Sequence, residues 1–405
     1  MEKTPIASRL HVGIFGKTNA GKSSLFNAIF GQDVVIVSEH KGTTTDPIVK
    51  AMELNPFGPI ALIDTAGLDD DTVMGESRVG KTKDILGRID FAIYATDIRV
   101  FDEVAYLEMV LQFKKNKISH ILVFTKEDQV TSFKKQAIKK TYKDAVFTST
   151  HDPSSINTLK LIIGKRLQNL KTKDEPLIGD LLPEKSTVVM VVPLDEAAPK
   201  GRLILPQVQF IRECLDYGIQ CLVTRETELA EALKNLKKVD LVVTDSQVFG
   251  IVNKIVPKEI PLTSFSMLLA RQKGDIDQLI EGVKSLETIS DNGRILMAEG
   301  CSHSDTHEDI GRVKIPNLIK KYTGKQLKFD FCSGYDFPKD LKAYDLVVHC
   351  GGCMLNKKSV LTRLWVCEEI EVPVTNYGVA LAYLNGILPR SSEIFKLGYE
   401  VEGHD

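Results

Sequence analysis

Two groups of residues in this chain have the types and spacings that chemistry requires. The first is Gly16-Lys17-Thr18-Asn19-Ala20-Gly21-Lys22-Ser23, followed by Asp64-Thr65-Ala66-Gly67. In a G-x-x-x-x-G-K-[ST] run, glycines let successive backbone N–H groups turn inward around phosphate oxygens, and the helix that follows adds the positive end of its dipole. Lys22 is then placed to reach the β- and γ-phosphates of a nucleotide and Ser23 to ligate Mg²⁺. Gly16, Asn19, Ala20, Gly21 and Ser24 complete the phosphate-binding loop. Asp64 closes an apolar run 41 residues after Ser23. There its carboxylate can hold Mg²⁺ through water, while the Gly67 N–H meets the γ-phosphate.

The base is read by Thr125-Lys126-Glu127-Asp128. The carboxylate of Asp128 can accept from N1 and N2 of guanine together, a donor pair that adenine lacks, and Lys126 lies along the base. The segment Lys41-Gly42-Thr43-Thr44-Thr45-Asp46 resembles the first switch of GTPases, in which one threonine closes over Mg²⁺ and the γ-phosphate; Thr44 is the candidate, with Thr45 in reserve. Taken together these motifs resemble the translation-factor-related GTPases, nearest to the tRNA-modifying and ribosome-assembly branch. GTPases of this kind usually have Asn where this chain has Thr125, which removes one supporting hydrogen bond. The residue after Gly67 is apolar Leu68, so no catalytic Gln follows the DTAG motif. The resemblance implies that K⁺, held by Asn19, supplies charge that an arginine finger would otherwise give. Glu76 is the candidate for orienting the attacking water.

Cys301-Ser302-His303 and His349-Cys350-Gly351-Gly352-Cys353 form the second group. A Cys-x-x-Cys turn places two thiolates on one ion or cluster, and the glycines allow the tight bend. Cys301 would add a third thiolate, leaving a fourth position to His303, His349, Glu308 or an exogenous group. By residue type alone, zinc suits this set as well as an iron–sulfur cluster does, and a redox-active Cys-x-x-Cys is a third reading. Cys214, Cys221, Cys332 and Cys367 lie in apolar contexts where cysteine behaves as a small hydrophobe. Cys332 stands apart because it follows a strand that leads to the same edge.

The elements that must position these groups alternate between strand and helix. Strands are predicted at His11–Phe15, Ile60–Asp64, Phe91–Thr96 and His120–Thr125, with a helix beginning near Lys22, which means a mostly parallel α/β sheet. A charged, proline-marked stretch from Lys171 to Lys185 predicts a boundary. The next segment predicts strands Thr187–Val192, Gln220–Thr224 and Asp240–Thr244, with helices near Gln207–Tyr217, Glu226–Lys237 and Ser266–Arg271. It carries no cluster of chemical residues and reads as an association module. The last segment predicts strands Arg294–Glu299, Gln326–Phe331, Asp345–His349 and Val372–Thr375. Two of these end at Glu299 and His349, so both cysteine groups leave the carboxyl edge of one sheet, where α/β folds place ligands. The expected fold is α/β: a P-loop GTPase domain over 1–172, then two smaller α/β domains with mostly parallel sheets, an association module over 183–272 and a cysteine-bearing one over 273–405.

Bulk properties agree with this reading. The chain has 405 residues, 43% hydrophobic and 26% charged, with net charge −2, which predicts globular domains with no general attraction to nucleic acid or anionic membrane. No apolar run approaches the ~18–20 residues that would span a bilayer. Seven cysteines, an odd count, suit a reducing compartment better than a disulfide framework. A cytoplasmic location is expected.

The order of GTPase, small α/β module and C-x-H distant from H-C-x-x-C, with Glu308-Asp309-Ile310-Gly311-Arg312-Val313-Lys314-Ile315-Pro316, closely resembles the iron-iron hydrogenase maturation GTPases (HydF) over essentially the whole chain. The resemblance implies a 4Fe-4S cluster on Cys301, Cys350 and Cys353 with an exchangeable fourth ligand, and the diiron precursor of the hydrogenase active site as cargo. It further implies a homodimer formed by the middle module, and two radical-SAM maturases and the apo iron-iron hydrogenase as partners. In that reading the cofactors are GTP, Mg²⁺, K⁺ and the cluster. The alternative is an RNA- or ribosome-associated GTPase whose last domain carries structural zinc.

Overall fold

In the computed structural model, residues 4–31, 48–65, 84–171, 175–193, 203–300, 310–338 and 340–397 are described. The chain forms two compact units, Met1–Asp174 and Glu175–Asp405.

The first unit is built on a six-stranded sheet. Its strands are β1 (Leu10–Phe15), β2 (Ile48–Leu54), β3 (Gly58–Asp64), β4 (Phe91–Asp97), β5 (Ser119–Thr125) and β6 (Val146–Phe147), in the spatial order β2-β3-β1-β4-β5-β6. All neighbours are parallel except β2 and β3. Strands β1, β3 and β4 are near-continuous apolar runs because helices cover both faces of the sheet. Alternation along β1 sends Val12 and Ile14 to one core, with Leu25, Ile93 and Leu159, and Phe15 to the other, with Ile63, Tyr94 and Phe113. The antiparallel edge strand β2 was not expected. Its polar Lys50 and Glu53 alternate with apolar residues at the sheet edge, where the periodic signal is weakest.

The second unit contains two four-stranded sheets, all parallel. One comprises β7 (Thr187–Val191), β8 (Gln220–Thr224), β9 (Leu241–Thr244) and β10 (Leu262–Ser264), ordered β10-β9-β7-β8. The other comprises β11 (Arg294–Ala298), β12 (Lys328–Cys332), β13 (Leu346–His349) and β14 (Val374–Asn376), ordered β12-β11-β13-β14. One hydrophobic core runs through both, from Leu177 to Phe395. The helix Phe265–Lys273 packs against elements of both halves and carries the chain from the first sheet toward the second. Strand β10 and the helix Phe249–Ile255 were not expected. Three residues are too few to show a period, so β10 is legible only through its pairing with β9. Among the described residues, no helix is long and apolar enough to cross a membrane.

Candidate functional site

At the nucleotide site, β1 ends at Phe15 and the helix Lys22–Phe30 begins seven residues on. Between them the backbone turns through Gly16 at φ 140°, Asn19 at φ 65° and Gly21 at φ 85°, a run of unusual conformations that makes an anion-binding concavity. A side chain at position 16 would stand 2.0 Å from the Ala95 carbonyl oxygen, so glycine is needed for the loop to lie against β4. The Lys22 ammonium is buried inside the loop, donating to the carbonyls of Gly16 at 2.6 Å and Lys17 at 2.9 Å. Asp64 closes β3 beside Ile14 of β1 and is buried. The next residue, Thr65, donates its hydroxyl to the Ile14 carbonyl. Ser23 and Ser24 face solvent on the first turn of the helix.

The base-reading segment is tied to this loop. The Lys126 ammonium donates to the Asn19 carbonyl at 3.2 Å and to Asp97 Oδ2 at 2.9 Å. The carboxyl of Asp97 is held well below the usual range, chiefly by the Arg99 guanidinium and then by Lys126. Thr125 is buried, with its hydroxyl 2.8 Å from the Ala20 carbonyl and 3.1 Å from that of Thr96. The supporting bond expected to be missing with Asn is thus supplied by a hydroxyl that reaches the phosphate-loop backbone directly. A hydrogen bond from Ser149 is the main cause that keeps Asp128 below its ordinary value. Ser149 was missed because it follows β6, a two-residue strand with no readable period. Its signal was a Ser/Thr cluster, Thr148-Ser149-Thr150, closing the last strand of the sheet. Thr44, Gly67 and Glu76 lie outside the described residues.

At the cysteine edge, β11 pairs with β12 on one side and β13 on the other, all parallel, with Ala298 beside both Cys332 and His349. The Cys350 N–H donates to the Ala298 carbonyl at 2.8 Å, and the Glu299 N–H to that of Cys332 at 2.9 Å. Cys332, Glu299 and Cys350 therefore emerge together at the carboxyl ends of three adjacent strands. The Cys350 sulfur accepts from the N–H groups of Gly300 at 3.0 Å and Gly352 at 3.3 Å. Burial pushes its thiol up, and the two N–H donors oppose that by favouring the thiolate. Gly352, at φ 62°, makes the bend that brings its N–H back to the sulfur. Cys332 is pushed up to about 11 by burial.

His349, a candidate ligand, has both ring nitrogens hydrogen-bonded within the protein in this arrangement. It is buried, its Nδ1–H donates to the Cys350 carbonyl at 2.7 Å, and its Nε2 accepts from Arg363 at 2.9 Å. Burial and then Arg363 bring its pKa down to about 3, so the ring is neutral with both nitrogens engaged. Spacing alone missed three further residues here. Lys273 and Arg363 are buried cations against the Cys350–Cys353 loop, and Asp336 places a carboxylate within electrostatic reach of Cys332. Their sequence positions carry no motif, since they come from a helix end, a helix interior and a separate loop. Cys301, His303 and Glu308 lie outside the described residues. Of the other cysteines, Cys367 is buried and pushed up to about 12, as a core thiol should be, and Cys214 is likewise buried.

Comparison with known proteins divides the chain in three. Residues 11–126 match the family model of 50S ribosome-binding GTPases, residues 177–274 that of the hydrogen maturase F dimerization domain, and residues 277–394 that of the hydrogen maturase F tetramerization domain. The N-terminal unit is a GTPase domain, with GTP and Mg²⁺ as its ligands, and the rest of the chain carries oligomerization modules. The segment expected to bind a cluster is the one matched as the tetramerization domain. Among curated relatives, the tRNA modification GTPase MnmE of Mycoplasma mycoides is 31% identical over 173 residues, covering 42% of this chain and 37% of that protein. GTPase Der of Kosmotoga olearia is 32% identical over 164 residues, covering 37% of each. The chain thus spans little more than a third of these relatives. Among solved structures, the G domain of the T. maritima FeoB iron transporter is 23% identical with a TM-score of 0.30, covering 39% of this chain and 99% of that one. Aquifex aeolicus Era is 19% identical with a TM-score of 0.31, covering 53% and 93%.

Proposed function

Because this chain belongs to the hydrogen maturase F family, we propose that it is a GTPase and iron–sulfur scaffold that assembles the diiron precursor of the iron-iron hydrogenase active site and delivers it to the apo-hydrogenase. The observation that carries this reading is the Cys350 sulfur, held by two backbone N–H groups at the carboxyl edge of β11, β12 and β13. Backbone N–H donors stabilise a thiolate and tune the cluster it ligates. Cys350 and Cys353, joined by Cys301, would hold a 4Fe-4S cluster. Bound there, the cluster would supply an iron with a replaceable ligand, through which cargo can attach and leave.

The chain's own residues divide the remaining work. In the first unit Lys22 neutralises phosphate charge, Ser23 and Asp64 position Mg²⁺ directly and through water, and Thr44 and Gly67 respond to the γ-phosphate. Asn19 would hold K⁺ against the phosphates, and Glu76 would orient water. Thr125 and Lys126 join the base-reading segment to the phosphate loop, so a change at the base reaches the loop within one hydrogen bond. GTP hydrolysis then times the exchange of partners, which are two radical-SAM maturases and the apo-hydrogenase, rather than driving the metal chemistry.

Self-association is supported by β8, an edge strand with Leu222 38% and Val223 45% exposed. An apolar edge strand is a template for pairing with a second copy, as suits a homodimer.

Anaerobic purification tests the scaffold reading. A brown protein containing iron and sulfide and absorbing at about 400 nm is expected. A colourless protein with bound zinc would instead favour a ribosome- or RNA-associated GTPase with a structural metal.

A further inference from the structure

Lys273 and Arg363 are buried at the cysteine edge, and the function proposed above gives neither of them a task. Each is only 6% exposed. Lys273 ends the helix Phe265–Lys273, and its ammonium donates to three carbonyls of the cysteine loop: Gly352 at 3.1 Å, Cys353 at 3.4 Å and Leu355 at 2.9 Å. Arg363 lies on the helix Lys357–Glu369. It gives Nη1 to His349 Nε2 at 2.9 Å and Nη2 to the Gly334 carbonyl at 2.6 Å, with its guanidinium 4.9 Å from the Phe337 ring centre.

None of these partners is charged. Carbonyl dipoles, an imidazole lone pair and an aromatic face solvate a cation without neutralising it, and a buried charge left uncompensated is strongly unfavourable. Among the described residues neither cation has a carboxylate within ion-pair distance. Burial lowers the pKa of both, that of Lys273 to about 8, and the groups that oppose this are thiols before others: Cys353 and Cys350 for Lys273, and Cys332 and Cys350, then Tyr335, for Arg363. The edge is therefore a cup holding two fixed positive charges, and it asks for a bound group of opposite sign.

Charge counting selects the group. Zinc held by two thiolates and two neutral ligands is neutral, and zinc held by three thiolates carries one negative charge. A 4Fe-4S cluster on three thiolates also carries one negative charge when oxidised. It gains a second when one electron from an external reductant enters the core, with no bond made or broken and no proton moved. With a neutral fourth ligand such as His303, it is the reduced cluster that matches two cations.

We propose, resting on the iron–sulfur reading above, that Lys273 and Arg363 are the fixed counter-cations of the cluster, stabilising its one-electron-reduced form and raising its reduction potential. They are positioning residues, acting through the loop and the field rather than by touching iron. Lys273 has the further effect of pinning the Cys350–Cys353 turn by its carbonyls, so that the sulfurs stay at the edge.

The test uses the full-length protein reconstituted anaerobically with iron and sulfide, and reads the midpoint potential by titration with dithionite followed by electron paramagnetic resonance. Iron and sulfide per chain are measured on each sample. Lys273→Gln and Arg363→Gln keep polar contact with the same carbonyls and remove the charge. Each is expected to shift the potential negative with iron content maintained, and the double variant to shift it further. Arg363→Lys keeps the charge and is expected to stay near the wild-type potential. Potentials unchanged in both neutral variants, with iron intact, would overturn the proposal. So would an Arg363→Lys shift as large as that of Arg363→Gln, because shape rather than charge would then decide. If Lys273→Gln does not fold, the two Arg363 variants carry the test by themselves. Wild-type protein that takes up no iron overturns the underlying scaffold reading, and that outcome is seen before any variant is compared.

Discussion

Around the phosphate loop the outer cations are paired with carboxylates, Lys126 and Arg99 with Asp97 and Lys17 with Asp102, while Lys22 is buried inside the loop against the Gly16 and Lys17 carbonyls. At the cysteine edge Lys273 and Arg363 are buried against carbonyls and an imidazole. The difference follows from how each site meets its anion. A nucleotide arrives from water and leaves again, so the side chains around its loop must be stable when it is absent, and paired surface charges meet that condition at little cost. A thiolate-ligated group stays. Cations that face it can be buried without a carboxylate, because the ligand itself completes the charge. On the proposed reading one region serves exchange and the other retention.

The strongest way to break this comparison is to remove one site and read both. Lys22→Ala should lower the rate of GTP hydrolysis about a hundredfold or more, as expected when a group that stabilises developing charge is lost, while bound iron is unchanged. Cys350→Ala or Cys353→Ala should abolish iron retention and leave hydrolysis within about twofold of wild type. If either substitution damaged both functions equally, the two regions would not be separate machines.

Acid sharpens the contrast from the side of stability. His11 in the first unit is buried and its pKa is lowered to about 4, chiefly by burial, against an ordinary value near 6.5. A base whose folded pKa is depressed must be neutral to stay folded. Its contribution is full above about pH 6.5 and is lost as pH falls toward 4, on the order of 3 kcal/mol across that window. Unfolding of the isolated GTPase activity, followed from pH 7 to 4, should show this loss. His11→Gln should flatten the dependence, and an unaltered slope in that variant would remove His11 from the account.

A smaller effect concerns the counter-charge at the nucleotide site. If that site borrows positive charge from solution, exchanging Na⁺ for K⁺ should accelerate hydrolysis about tenfold, and Asn19→Ala should erase the difference. Equal rates in the two salts would sink the role given to Asn19. The smallest effect is expected at Thr125. Replacing it with Val removes a buried hydroxyl bond worth about 1 kcal/mol, which should weaken GTP binding roughly fivefold in a fluorescent-nucleotide titration. No change would mean that the Thr125–Ala20 contact does not carry base recognition into the loop.

Much of the fold was legible from residue order. Long apolar runs such as Phe91–Thr96 and Arg294–Glu299 announced buried parallel strands, and the alternation with helices gave α/β throughout. What escaped was short or at an edge: β2, with mixed polar and apolar residues, and β10, three residues long. The candidates for the nucleotide site were legible in the sequence because they are backbone N–H groups and a few side chains within short contiguous motifs, of which Thr44, Gly67 and Glu76 lie outside the described residues. Ser149 and the hydroxyl role of Thr125 escaped, since each depends on a partner far along the chain.

The cysteine edge shows where residue order stops. Spacing alone identified Cys350 and Cys353 and predicted that strands ending at Glu299 and His349 would share an edge. It also proposed His349 as a ligand, because an imidazole beside a Cys-x-x-Cys turn has the right chemistry. Only the tertiary structure brings Arg363 to Nε2. Only the tertiary structure carries Lys273, some 80 residues away, under the loop carbonyls. The physical reason is one of range. Backbone-defined sites are encoded locally, by glycine, strand and helix end, whereas the electrostatic character of a buried site is a sum over side chains that packing alone assembles.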